Sequence, residues 1–226
     1  MKKSWEFLKN PQIVGSILEK AFKIERAKVC SFSRLFQHLN NKEVEMMEKF
    51  LLLDPEEFGV KMELFDISKG TPKRLLDINQ RRNGKFLAVQ YLPKPVYLAF
   101  KIMNKVLEAE TGKKLLILSG YRSPAYQAIV FLHNLKKYDF DFLKVVKLVA
   151  FPGYSEHHGW PAGKQAIDFV ASSNEDLKVF EKTEEFKWLS ENAHNFNFYL
   201  SYSRNNGSGI RYEPWHWCWR GIAARK

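Results

Sequence analysis

Residues 211–217 read RYEPWHW, which places a carboxylate, a proline, an indole and an imidazole in consecutive positions. Pro214 has no backbone N–H and clashes with a preceding helical turn, so the stretch is not a helix interior. It also lacks the two histidines at i and i+4 of helical zinc motifs. The pattern predicts a strand end or turn that aims Glu213 and His216 at one point. The alternative is an aromatic core strand that carries one histidine bonded within the core.

The composition predicts a folded chain whose surface attracts anions. Of 226 residues, 45% are hydrophobic and 15% aromatic, enough for one domain with an extension or a small subdomain. The formal charge of +11 would attract nucleic acid, an anionic membrane or a carboxylate-rich cell-wall polymer. Basic residues are scattered, with a tight pair at 81–82, so the charge predicts no specific nucleic-acid binding. No stretch approaches the length of a membrane span.

The first third of the chain is predicted to be a helical extension. Apolar residues recur at helical spacing up to about residue 55, and no Ser/Gly linker follows. We therefore predict a mainly helical extension over residues 1–92, packed on a core domain over residues 93–226. Charged residues interrupt the apolar run that a signal peptide needs. The sequence as written therefore predicts a cytoplasmic chain, and periplasmic or cell-envelope action would need another export route.

The core domain is predicted to mix helices with short strands, which defines the α+β class. An apolar face and a terminal Gly112 predict a helix that ends near residue 111. Short apolar runs bounded by turn residues predict strands. An Asn/Gly-rich turn then leads to RYEPWHW, as in a hairpin. The predicted helices are residues 95–111, a segment after Pro124 that contains Gln127, and residues 175–195. The predicted strands are residues 115–118, 165–170 and 198–202.

Three side chains are candidate ligands of a metal ion: His157 or its neighbour His158, Asp168, and His216. Asp168 lies within an apolar strand, where a buried carboxylate needs a partner. Two imidazoles and one carboxylate leave zinc an open position for water, as in catalytic sites. Cys218 is another candidate ligand, although a cysteine between two tryptophans is more often a small core residue.

Two further side chains complete the candidate site. Glu213 is the natural base for a zinc-bound water. Arg122 follows a glycine at the end of a buried strand, where it could stabilise an oxyanion or hold a substrate carboxylate. A structural salt bridge is the alternative role for Arg122.

Three ordered motifs carry a family resemblance: SGYRS at residues 119–123, GYSEH at 153–157 with AID at 166–168, and EPWHW at 213–217. Together they resemble the VanY-type D-alanyl-D-alanine carboxypeptidases, zinc peptidases of family M15 in the LAS group, which also includes hedgehog-like domains. The resemblance covers roughly residues 93–221. It implies a small antiparallel sheet with flanking helices and one catalytic Zn²⁺ in a groove.

The resemblance also assigns roles to individual residues. It implies His157, Asp168 and His216 as zinc ligands and Glu213 as general base and later proton donor. Arg122 would stabilise the oxyanion or hold the substrate. The implied substrate-binding residues are Ser119, Tyr121, Gln127 and Ser155.

The chain departs from the family pattern between the first two ligands. Asp168 follows His157 by eleven positions, about four more than is usual in the family. A longer turn between two strands can absorb the insertion, or the insertion can reshape the substrate groove. It leaves His158 open as a ligand, although the Ser-x-His pattern favours His157.

The resemblance implies removal of the terminal D-alanine from peptidoglycan stem peptides. An L,D-carboxypeptidase or an endopeptidase on the same scaffold is the alternative. A non-catalytic zinc-binding module that contacts the cell wall is a second class, and a nucleic-acid binder is a third. Retention of both Glu213 and Arg122 argues against a purely structural zinc site.

Overall fold

A computed structural model describes residues 4–65, 72, 74–174 and 176–221 and has the predicted α+β fold. The helices are α1 (Pro11–Phe22), α2 (Phe32–Phe36), α3 (Asn41–Leu51), α4 (Lys94–Thr111), α5 (Pro124–Lys137), α6 (Phe142–Val145) and α7 (Glu184–Asn192). The strands are β1 (Leu75–Ile78), β2 (Arg81–Arg82), β3 (Lys85–Phe86), β4 (Gln90–Pro93), β5 (Leu115–Ser119), β6 (Lys164–Ala171), β7 (Phe198–Leu200) and β8 (His216–Arg220). None of the described helices is both long and apolar enough to cross a membrane.

The chain forms two compact units, and both are discontinuous in sequence. The first contains the described residues before Pro72 together with Ser123–Ser155 and Gly207–Arg211. The second contains Pro72–Arg122, Glu156–Asn206 and the described residues from Tyr212. The proposed boundary between residues 92 and 93 stays a prediction, because compactness alone does not establish which part folds independently.

The first unit is helical and has an aromatic core. Four fully buried rings form this core: Phe50, Phe131, Phe142 and Phe151. In five pairs of these rings the ring centroids lie between 4.8 and 6.2 Å apart. Aromatic pairs at such distances add stability beyond the area that they bury. Glu43 is also buried in this unit.

Glu43 has two roles in the first unit. It completes the capping box of α3 with Asn40, which satisfies backbone N–H groups at the start of that helix. Its carboxylate also accepts hydrogen bonds from Ser16 Oγ at 2.6 Å and from Lys20 Nζ at 2.7 Å. These contacts join α1 to α3.

The second unit is built on a four-stranded antiparallel sheet in the order β5-β6-β8-β7. The buried residues of β6 lie between two hydrogen-bonded neighbours. Ser119 of β5 is paired with Asp168 of β6, and Asp168 is paired with His216 of β8. The register therefore aligns two predicted ligands on adjacent strands.

Side-chain amides occupy the outer edge of β5. Gln80 accepts from the Ile117 N–H at 2.7 Å and donates to the Ile117 carbonyl at 2.8 Å. Asn104 likewise accepts from the Leu115 N–H at 2.9 Å and donates to the Leu115 carbonyl at 3.1 Å. The two amides thus take the place of a neighbouring strand.

The predicted helix over residues 175–195 is wrong in its first part. The structure has a 3₁₀ turn at Phe180–Lys182, and α7 begins only at Glu184. The Thr183 hydroxyl caps this start by accepting from the Phe186 N–H at 3.2 Å. The predicted helix at 95–111 and the strands at 115–118 and 165–170 agree with α4, β5 and β6 within one residue at each end.

Candidate metal centre

Asp168 lies at the centre of the candidate site because its strand lies between two others. Only 9% of its surface is exposed. Burial would raise the pKa of the carboxyl, but the charges and hydrogen bonds of His157 and His216 hold it well below its usual range. Asp168 is therefore an anionic acceptor inside the unit, which is the partner arrangement that its apolar strand requires.

His157 is delivered by a 3₁₀ turn, Glu156–His158, that precedes β6. Its Nδ1 lies 2.7 Å from the Gly120 carbonyl, so Nδ1 carries the proton and donates. Its Nε2 then faces Asp168, 3.2 Å from Oδ2. Burial and the nearby charge of Arg122 lower the pKa of His157 to about 4, although Asp168 acts in the opposite direction. The imidazole is therefore neutral at physiological pH, as a metal ligand must be.

His216 lies in the RYEPWHW stretch, residues 211–217. Its N–H donates to the Glu213 carbonyl at 3.1 Å, so residues 213–216 form the predicted turn into β8. Its Nδ1 lies 3.0 Å from Asp168 Oδ1, and its Nε2 lies 3.0 Å from Glu156 Oε2. Burial lowers the pKa of His216, but hydrogen bonds and charges from the two carboxylates raise it to about 10.

The residues present fit a zinc ion. Among the described residues, His157, Asp168 and His216 form a buried group whose ligand atoms all lie within 4.8 Å of one another. Tetrahedral zinc with bonds of about 2.0–2.1 Å places its ligand atoms roughly 3.4 Å apart. The distances of 3.2 and 3.0 Å from Asp168 to the two imidazoles are close to that spacing. Neither His158 nor Cys218 belongs to this group.

Glu213 and Arg122 lie beside the cluster. Glu213 Oε2 is 4.0 Å from His216 Nδ1, and 9% of the residue is exposed. Arg122 Nη2 is 3.7 Å from Asp168 Oδ2, and the Arg122 N–H donates to the His157 carbonyl at 3.1 Å. The structure therefore brings the predicted base and the predicted cation to the predicted ligands. A long ion pair with Asp168 is also the structural role that the sequence left open for Arg122.

The four predicted substrate-binding residues have different surroundings. Ser119 lies opposite Asp168 in the register of the neighbouring strands β5 and β6. Tyr121 is almost fully buried and donates its backbone N–H to the Tyr91 carbonyl. Gln127 and Ser155 belong to the first unit, and both are buried. A direct contact of these four residues with a substrate stays a prediction.

The insertion lies between His157 and the start of β6. Its residues form a 3₁₀ turn at Trp160–Ala162, and the Gly163 carbonyl accepts from the Gly221 N–H at 2.8 Å. Asp168 lies four residues beyond Lys164, the first residue of β6, which corresponds to about 13 Å along a strand. The extra residues therefore lie in the connection between two predicted ligands, and His157 and Asp168 still meet in the cluster.

Glu156 also belongs to the site, although the sequence did not predict a role for it. It lies between Ser155 and His157 in the GYSEH motif. Its carboxylate contacts His216, which is distant in sequence. Burial would raise its pKa, but the hydrogen bond and charge of His216 lower the pKa to about 2. Its position next to His157 did not indicate this contact, because the ligand histidine that Glu156 faces is His216.

A buried His–Asp–His cluster with an adjacent carboxylate and guanidinium is the arrangement expected of a hydrolytic metal site. Comparison with known proteins specifies the family. The family model described as VanY, D-alanyl-D-alanine carboxypeptidase, matches residues 89–222. This match covers more than half of the chain, so the chain belongs to the VanY family.

Two curated relatives agree with this assignment. The protein named Putative carboxypeptidase YodJ, from Bacillus subtilis (strain 168), is 32% identical over 141 residues, covering 61% of this chain and 49% of that protein. The D-alanyl-D-alanine carboxypeptidase of Enterococcus faecium is 33% identical over 124 residues, covering 53% of this chain and 35% of that protein. The matched regions thus span half or less of these two relatives.

Solved structures show the same fold. The LdcB LD-carboxypeptidase has a TM-score of 0.59 at 27% identity, over 75% of this chain and 79% of that one. A variant of the D,D-pentapeptidase VanY from the VanB-type resistance cassette, solved with Zn(II), has a TM-score of 0.52 at 22% identity, over 73% and 88% of the two chains. The chain therefore has a fold that these two peptidases share.

Proposed function

We propose that the protein is a zinc-dependent carboxypeptidase that removes the terminal D-alanine from peptidoglycan stem peptides. One observation carries the proposal: the buried His157–Asp168–His216 group has Glu213 and Arg122 within 4.0 Å of its ligand atoms. A structural zinc site needs neither of these two side chains. The proposal of a non-catalytic wall-binding module is therefore weaker.

The proposed mechanism divides the work among the site residues. When bound, zinc supplies a Lewis acid and lowers the pKa of a coordinated water. His157, Asp168 and His216 hold the ion. Glu213 accepts a proton from the attacking water and later donates it to the amine of the leaving D-alanine. Arg122 carries a fixed positive charge that stabilises the oxyanion or binds the terminal carboxylate of the peptide.

An L,D-carboxypeptidase is the second candidate. The observation that favours it is the similarity to the LdcB LD-carboxypeptidase, at 27% identity. The two activities release the same product and differ in the residue before the scissile bond, which is a D-residue in one case and an L-residue in the other. The site residues named above serve both reactions, so a choice of substrate decides between them.

The first experiment measures zinc content and D-alanine release with two peptides. One is a pentapeptide stem that ends in D-alanyl-D-alanine, and the other is a tetrapeptide stem in which D-alanine follows an L-centre. We expect one equivalent of zinc and faster release from the pentapeptide. Preference for the tetrapeptide would establish the second candidate instead. Zinc without release from either peptide would reject both, and absence of zinc would reject the proposed site.

Glu213→Gln tests the assigned base because it keeps the size of the side chain and removes its basicity. We expect a roughly 10²- to 10⁴-fold lower kcat with zinc still bound. Glu108→Ala is the matched control, since it removes an exposed carboxylate of α4. A Glu213→Gln variant as active as the wild type would contradict the mechanism.

A further inference from the structure

In each of the two imidazoles of the cluster, the ring nitrogen that faces away from Asp168 lies within hydrogen-bond distance of an acceptor. For His157 the acceptor is the Gly120 carbonyl, which bonds Nδ1 and leaves Nε2 facing Asp168. For His216 the ring is turned the other way: Nδ1 faces Asp168 and Nε2 faces Glu156. The nitrogen that faces the cluster therefore differs between the two histidines.

A neutral imidazole has one N–H, and a nitrogen that binds a metal cannot carry it. For His216, the nitrogen on the cluster side is Nδ1, which lies 3.0 Å from Asp168 and 4.0 Å from Glu213. The remaining proton then belongs on Nε2, where Glu156 Oε2 lies 3.0 Å away to accept it. The Tyr202 ring, centred 4.8 Å from the imidazole, packs against it and restricts its rotation.

Glu156 lies largely buried beside the cluster. Its side chain is 18% exposed, and it belongs to the same short 3₁₀ turn as His157. One turn thus presents the ligand His157 and, from the preceding residue, the carboxylate that faces the ligand His216.

We propose that Glu156 is a positioning residue for the metal: it accepts the Nε2 proton of His216 and thereby keeps Nδ1 free and aimed at the ion. The inference rests on the proposed metal site and adds to it a residue outside the ligand set. Comparable carboxylate partners of ligand histidines change metal affinity about 10- to 100-fold when they are removed.

The test compares zinc affinity in three variants by competition with a chromophoric chelator. Glu156→Ala removes the acceptor, and we expect roughly 10- to 100-fold weaker zinc binding. Glu156→Gln keeps an oxygen that can accept from Nε2–H, so we expect a loss of less than about tenfold. Glu108→Ala removes an exposed carboxylate of the same unit and is expected to bind as the wild type does.

A spectroscopic measurement reports the proton position independently of activity. Nitrogen-15 NMR of the zinc-loaded wild type is expected to show His216 protonated at Nε2 and His157 protonated at Nδ1. In Glu156→Ala the Nε2 proton of His216 is expected to exchange faster with solvent. This measurement on the wild type also holds if Glu156→Ala does not fold.

Three results would overturn the inference: wild-type affinity in Glu156→Ala, equal losses in the Gln and Ala variants, or His216 protonated at Nδ1 with zinc bound. These failures are distinct from failure of the proposed function. If the wild type binds zinc and releases D-alanine while the Glu156 variants bind equally well, only the positioning role is rejected. If the wild type binds no zinc, both proposals are rejected.

Discussion

Gly120 lies between the end of β5 and Arg122, and its two backbone groups serve different purposes. Its carbonyl holds His157, and its Cα leaves no room for a side chain. An added Cβ would collide with the Tyr91 carbonyl oxygen and lie 3.1 Å from Leu92 Cδ2. The Tyr91 carbonyl cannot retreat freely, because it accepts the Tyr121 N–H at 2.6 Å. Gly120→Ala must therefore displace one of two backbone segments.

The magnitude follows from these contacts. Overpacking costs about 1–3 kcal/mol and a weakened hydrogen bond about 0.5–1.5 kcal/mol, so we expect Gly120→Ala to lower the free energy of unfolding by about 2–4 kcal/mol. For a chain of this size the Tm would fall by roughly 4–16 °C. A shift of the Gly120 carbonyl would also misplace His157, and zinc affinity would fall about tenfold or more.

The assay is thermal and urea unfolding of the metal-free protein, followed by zinc titration. Gly15→Ala is the matched control, because Gly15 lies within α1 and an added Cβ there meets nothing within 4 Å. In a helix, alanine is favoured over glycine by about 0.5–1 kcal/mol, so this variant should be more stable than the wild type. A Gly120→Ala variant within about 0.5 kcal/mol of the wild type, with unchanged zinc affinity, would refute the reasoning.

Three other predictions concern protons, a buried carboxylate and thiols. The pKa of His216 is raised to about 10 in the metal-free protein, so zinc binding near neutral pH displaces one proton. Zinc affinity should therefore rise about tenfold per pH unit from pH 7 to 9. Calorimetry in two buffers measures the released proton, and no release would contradict this prediction. Glu43→Ala should lower unfolding free energy in urea by about 1–3 kcal/mol, whereas Glu45→Ala, which breaks an exposed pair with Lys49, should change it by at most about 0.5 kcal/mol. Burial raises the thiol pKa of Cys30 and of Cys218, so both thiols should react with a disulfide reagent only when the protein unfolds. Fast labelling of the folded protein would contradict the burial of these thiols.

The sequence contained enough information for the cluster because each ligand belongs to a local pattern. The proline at 214 excludes a helix, and the structure has a turn there that leads into β8. The isolated carboxylate Asp168 in an apolar strand indicated a polar partner, and two histidines provide it. Residue types and their order were enough to predict a site at this point, whereas the choice of His157 over His158 came from the Ser-x-His pattern of the family resemblance.

The remaining features depend on contacts between segments that are distant in sequence. Glu156 bonds His216, sixty positions away, and no local pattern indicates such a pair. The start of α7 was also misplaced, because the apolar residues before Thr183 resemble a continuous helix, whereas the threonine cap begins a new one. The association of residues 123–155 with the N-terminal helices is likewise a property of the folded chain.

The amide groups along β5 have a consequence for assembly. An open strand edge offers unpaired N–H and C=O groups to any other extended chain, which can lead to aggregation. Here Gln80 and Asn104 already bond the outward groups of Ile117 and Leu115. A second molecule cannot extend the sheet at these two residues without first displacing the two amides. The two amides thus block edge-to-edge pairing of a second strand at this part of β5. The same strand also exposes an apolar side chain, Leu118.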